Sequence, residues 1–203
     1  MRYMSKYILI VGCLFLIVNC TSTPAPEPEI VGFSIFPPLQ YPGRGTAITA
    51  NRTSIFLGRH DKVQGMDFSL FGNITDKEFN GSAFALVFNK TKGKANIYGM
   101  QIALANLNHG TTRIDGFQLG FAYNHSKMAH TVYGFQLAGL ANLGKKNTVY
   151  GAQVSLYNQA ESVYGFQIGL VNTTKNLYGI QIGAINMSAK NGLPFCPIIN
   201  VGF

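Results

Sequence analysis

The chain has 203 residues, enough for one domain once a leader is set aside. Its formal net charge is +8, with sixteen Lys and Arg against eight Asp and Glu. So few acids leave little material for paired-carboxylate chemistry, and only three cysteines exclude a disulfide scaffold.

Residues 1–20 read as an export signal. Arg2 and Lys6 give a positive start, and the apolar run from Ile8 to Val18 is too short to span a bilayer as a helix. The run ends at Leu16-Ile17-Val18-Asn19-Cys20, which resembles a bacterial lipoprotein signal. The resemblance implies lipid attachment at Cys20, which would become the mature N-terminus. An ordinary secretory leader is the alternative. More than one acyl chain at Cys20 would give stable anchoring. Residues 21–29 alternate Pro with small or acidic residues and form an extended tether.

Residues 30–60 are irregular. A strand from Val31 is cut short by Pro37-Pro38, a turn falls at Pro42-Gly43, and a second strand covers 47–58. From Gln64 to Asn186 the chain repeats itself. The clearest copy is 163–172, Val-Tyr-Gly-Phe-Gln-Ile-Gly-Leu-Val-Asn, with close relatives at 177–186 and 149–158. Looser copies run back through 132–142, 114–124 and 97–106, and degenerate ones sit at 80–89 and 64–73.

Each copy alternates with a period of two, as a strand requires. Tyr164, Phe166, Ile168 and Leu170 share one face; Gly165, Gln167, Gly169 and Val171 share the other. From Ile97 onward neither face carries appreciable charge, Asp115 at a strand start excepted. Lys90, Lys94, Arg113, Lys127, Lys146 and Lys175 are confined to turns. A wet sheet face would show Lys, Glu and Thr. Two uncharged faces and strands of about ten residues predict an all-β antiparallel meander. It would close as an outer-membrane-type β-barrel of about ten strands, with the Tyr row in an aromatic girdle. The alternative fold is a parallel β-solenoid with coils of 14–18 residues. In it identical residues would stack on one another, but its return segments offer little apolar surface to close a core. After Asn191-Gly192 and Pro194 the chain ends Pro197-Ile198-Ile199-Asn200-Val201-Gly202-Phe203, an alternating run that resembles the terminal strand signal of outer-membrane barrels.

The Gly-x-Gln-apolar-Gly repeats ending in Asn, the lipoprotein-like leader and this ending together resemble a bacterial family of surface repeat-containing proteins. The resemblance covers nearly all of 21–203 and implies placement at the outer membrane or cell surface, with no established activity. Asp67 and Ala83 replace the Gln in the early copies.

Candidate chemistry is thin. Asp61, Asp67, Asp76, Glu78, Asp115 and Glu161 fall mostly in turns and read as solvated charge. His60, His109, His125 and His130 fall in expected loops. His125 and His130 share one loop, without a Cys or acid at ligand spacing. Asp67 lies on the Gln face, where it would line a lumen. Cys196 has no partner once Cys13 leaves with the leader and Cys20 is acylated. No cofactor, metal or nucleic acid is expected, and no catalysis. The expected partners are membrane lipid and, through the basic loops, host or environmental ligands. The function expected is that of an exported surface structural or interaction protein over residues 30–203. A small pore and a lipid-anchored solenoid adhesin are the alternatives.

Overall fold

The computed structural model describes residues 26–203; the leader, Cys20 and most of the tether lie outside the described residues. All fifteen elements are β-strands. Their pairing overturns the barrel. From Ile48 to Asn186 every strand pair along the repeats is parallel, and each copy lies on the next in a register broken only by local bulges, at His60/Lys62, Gly81/Ala83 and Ala103/Ala105. Tyr133, Tyr150, Tyr164 and Tyr178 are direct neighbours, as are Gly134, Gly151, Gly165 and Gly179. An up-and-down meander pairs neighbours antiparallel and cannot align like with like. The chain is a parallel β-solenoid of about nine turns, the fold weighed second in the sequence. The pore reading depended on the barrel and goes with it.

One coil carries two strand segments. The first is the Tyr-Gly-Phe-Gln segment, for example Ser162–Ile168. The second centres on the Asn that ends each copy, for example Tyr157–Gln159. A tight corner joins the two within a copy, Ser155-Leu156 between Asn147–Val154 and Tyr157–Gln159 and Gly169-Leu170 between Ser162–Ile168 and Val171, and a polar turn leads to the next coil. Stacked, they make two parallel sheets.

Alternation decides what each face does. In the first sheet Ile97, Ile114, Val132, Val149, Val163 and Leu177 form a fully buried column. The Gln residues two pleats on also point inward. Gln118, Gln136, Gln153 and Gln167 each donate Nε2–H to Oε1 of the Gln one coil earlier at 2.8 Å, and Gln181 does so at 2.7 Å. In the second sheet the Asn residues make the matching ladder. Asn73, Asn89, Asn106, Asn124, Asn142, Asn158 and Asn172 each donate to the Asn one coil later at 2.8–3.1 Å. Most also donate to a main-chain carbonyl that faces them across the coil, as Asn158 does to Ile168 at 2.7 Å. The return segments therefore need little apolar surface. The core closes on amides that satisfy one another, which is the condition for burying polar groups cheaply.

Substitution Gln136→Leu tests this. Gln136 donates to Gln118 and accepts from Gln153, so leucine orphans a buried acceptor above and a buried donor below. The expected loss is roughly 2–4 kcal/mol of unfolding free energy, read as a lower urea midpoint at an unchanged slope. A loss under about 1 kcal/mol would show that the ladder bonds are replaceable.

Both ends of the stack are capped. Glu29–Phe36 lies parallel to Ile48–Ser54 and takes the short strand Leu39–Tyr41 antiparallel on its other side. At the far end Cys196–Gly202 runs antiparallel along Val171–Lys190. There Asn200 ends the Gln ladder by donating to Gln181 at 3.1 Å. The alternating C-terminal run is thus a strand as expected, but it seals the last coil instead of closing a barrel. Cys196 within it is free and half-buried.

Candidate interaction surfaces

Three features of the described residues stand apart from the repeat: an apolar sheet face, a basic corner and two buried histidine sites.

The outer face of the first sheet is built from the residues between the buried columns. Its first row is Tyr98, Asp115, Tyr133, Tyr150, Tyr164 and Tyr178; its second is Met100, Phe117, Phe135, Ala152, Phe166 and Ile180. Ile168 and Ile182 belong to the third, and Leu104, Leu140, Leu156 and Leu170 stand on the corner beyond. Most of these are over a third exposed: Phe166 is 48% exposed and Leu170 56%. The tyrosine rings stack with centroids 4.9, 4.7 and 4.8 Å apart and planes within 10°. This is the spacing of paired strands. Stacking occupies the ring faces, so the row presents ring edges and hydroxyls outward. The girdle expected of a barrel is replaced by this ladder. The chain is inverted relative to a water-soluble sheet: amides line its interior and aromatics its exterior.

The turns between coils gather the charge. Lys92, Lys94, His109 and Lys127 line a cleft of about 670 Å³, flanked by Lys90. His109 and His125 meet edge to face at 6.4 Å. Burial, then Lys90, His125 and the neighbouring lysines, lower the His109 pKa. Lys92 is tied to Asp76 at 2.8 Å, whereas Lys90, Lys94 and Lys127 meet no acid among the described residues. Asp76 also takes Arg44 at 2.7 Å and Arg59 at 2.8 Å, while Asp61 takes Lys77 at 2.6 Å. Burial raises the Asp76 pKa, but Arg59 and Lys92 outweigh it and hold the carboxyl well below the usual range. These two acids, read from sequence as solvated turn charge, are half-sheltered parts of an ion-pair network.

Two histidines expected in loops are buried in strands. His60 lies within Leu57–Ser69, donates Nε2–H to Pro42 O (3.0 Å) and accepts at Nδ1 from Arg52 Nη1 (3.3 Å). His130 opens His130–Ala138, stacked between Thr112 and Asn147. His125 points outward on the second sheet, so the two histidines that share a sequence loop are not brought together. Among the described residues no three His, Cys, Asp or Glu side chains converge as metal ligands. Asp67 lines no lumen. It is buried in the Gln row and makes two contacts with the buried Arg52, Nε to Oδ1 at 2.8 Å and Nη2 to Oδ2. Burial pushes the Asp67 carboxyl up against the opposing pull of Arg52. Sequence reasoning missed Arg52 altogether. The available signal was a lone Arg at an inward position one coil before the one Asp that replaces Gln.

The buried histidines carry a pH dependence. Burial, assisted by Arg52, lowers His60 to about 4, and burial alone lowers His130 to about 3, from an ordinary value of 6.5. Both are neutral in the folded chain at neutral pH. Below 6.5 the unfolded chain takes up protons that the folded chain refuses until about 4 and about 3. The stability they support is therefore complete above 6.5 and is lost as pH falls through that window. From pH 7 to pH 5 the expected loss is roughly 4 kcal/mol for the pair, measured by urea titration at each pH. No change over that interval would mean that both sites accept the proton while folded.

Searches of the chain against family models, curated proteins and solved structures return no match.

Proposed function

We propose that this chain is an exported, lipid-anchored β-solenoid that serves as a structural or interaction protein at the bacterial surface and performs no catalysis. The observation that carries the proposal is the inverted build: an amide-filled stack that leaves a continuous ladder of aromatic and aliphatic side chains outside. Such a surface is made for contact. Cys20 holds the acyl chains and residues 21–29 act as the tether. The repeats set the length of the contact face. The basic corner around Lys90, Lys94 and Lys127 is a second contact site, suited to anionic groups of host or environment, and gives the adhesin form of the same reading.

The test is metabolic labelling with an alkyne fatty acid. The wild-type chain is expected to incorporate label and to sediment with membranes, and Cys20→Ala to lose the label. A labelled Cys20→Ala chain, or an unlabelled wild type, would overturn the anchor.

A further inference from the structure

We propose that the outer face of the first sheet docks on an anionic phospholipid bilayer, tilted so that the Tyr row stays at headgroup level and the Phe, Ile and Leu rows dip against the acyl chains. This deepens the surface reading above and rests on it.

Size is the first argument. Neighbouring strands stand about 4.8 Å apart and side chains on one face recur every 6.7 Å or so along a strand, making the face about 20 Å by about 30 Å. That area, about 600 Å² before the Leu corner is added, is at the upper limit of apolar patches on soluble monomers. From Ile97 on it contains one charge, Asp115, which is neutralised by Arg113 at 2.9 Å.

The order of the rows is the second argument. Arg113 and the basic turns border the Tyr row, and Arg113 lies over the Tyr133 ring at 4.6 Å. Charge, phenol, phenyl and alkyl groups then follow one another across the sheet. This is the gradient from headgroup to acyl chain that interfacial segments match. Of the net charge of +8, Arg2 and Lys6 leave with the leader, and the +6 that stays (14 Lys and Arg less 8 Asp and Glu) complements an anionic surface.

The third argument separates lipid from a second copy. The hydroxyls of Tyr133, Tyr150, Tyr164 and Tyr178 bond to no other described residue. A dry sheet-on-sheet dimer would bury that row against the apolar rows of its twin and leave it unpaired. Headgroup phosphates, ester carbonyls and interfacial water supply partners.

The chain contains no Trp, so single reporters are unambiguous. Phe166→Trp and Phe135→Trp sit two coils apart on the proposed face; Leu143→Trp sits on the other sheet. Each full-length variant is mixed with vesicles of phosphatidylcholine and phosphatidylglycerol with brominated acyl chains, and flotation is scored in parallel. Quenching at 166 and 135 is expected to exceed that at 143 about fivefold, with binding to pure phosphatidylcholine about tenfold weaker. A chain that floats with silent reporters at 166 and 135 would overturn the docking and leave the anchor intact. Unacylated chain that is still quenched at both positions would keep the docking and remove the anchor. Equal quenching at all three sites, cross-linked dimers that shield 166 from lipid, or a chain that neither floats nor is quenched would each overturn it.

Discussion

Gly165→Ala is expected to cost about 3 kcal/mol or more. The glycine has φ +132°, a conformation closed to alanine without strain, and a Cβ there would fall inside contact distance of the Gly151 carbonyl oxygen. The carbonyl of Gly165 in turn lies where a Cβ on Gly179 would point, so the glycines form one close-packed backbone column. Neither neighbour can retreat without opening the Gln ladder two residues along. Gly43→Ala is the control: nothing lies within 4 Å of its Cβ position, and its effect is expected within about 0.5 kcal/mol. Thermal unfolding followed by circular dichroism distinguishes the two. A Gly165→Ala chain that melts with the wild type would show that the column has room that the backbone geometry denies.

Arg52→Met is expected to cost about 3–5 kcal/mol. Arg52 and Asp67 are 0% and 1% exposed, so removing the guanidinium strands a carboxyl in the interior with no water to receive it. The double change Arg52→Met with Asp67→Leu removes both halves and is expected to recover most of the loss. A double-mutant cycle in urea measures the coupling. If the double variant is as unstable as Arg52→Met alone, Arg52 is doing its work through His60 and the Ile74 carbonyl, its other contacts at 3.3 and 3.1 Å. The ion pair sits where the Gln row begins: the row runs Asp67, Ala83, Gln101 before the amides take over. The sequence departure that marks Asp67 and Ala83 as irregular is thus the start of the polar column, sealed by charge at one end and by Asn200 at the other.

The alternation of the repeat was fully legible in the sequence. Tyr164, Phe166 and Ile168 face outward and Val163 and Gln167 inward, as a period of two requires. What could not be read from alternation was closure, because a strand in a barrel and a strand in a solenoid share the same pleat. Closure turns on the return segments 159–162 and 173–176, which offer too little apolar surface to cover a core. Read as a turn, Asn172 to Asn176 would face solvent. In the stack Asn172 bonds to Asn186 and to the Ile182 carbonyl, so its polarity is what fills the space. A cue is present: the Gly and the Asn recur in every copy at a spacing constant to one residue, and only parallel stacking sets each on its own kind. The histidines were misplaced for a related reason. His60 and His130 stand beside turn residues in the sequence but at inward positions of their coils. The apolar face, by contrast, was read correctly as facing away from the chain's own interior.

The Asn ladder spans 16, 17, 18, 18, 16, 14 and 14 residues per step. Most of that variation is taken up in the turns; a single residue of it falls at the corner between Gln and Asn, where the register shifts past Ala103 and the rows resume beyond it. Each coil therefore meets its neighbours through a standard coupling, whatever the length of its loop. Excising one whole copy would bring Val132 onto Val163 and Gln136 onto Gln167, pairs of the same kind as those removed. Unequal recombination between such copies would produce shorter or longer folded proteins, and lineages carrying this gene are expected to differ by whole coils more readily than by fragments of one.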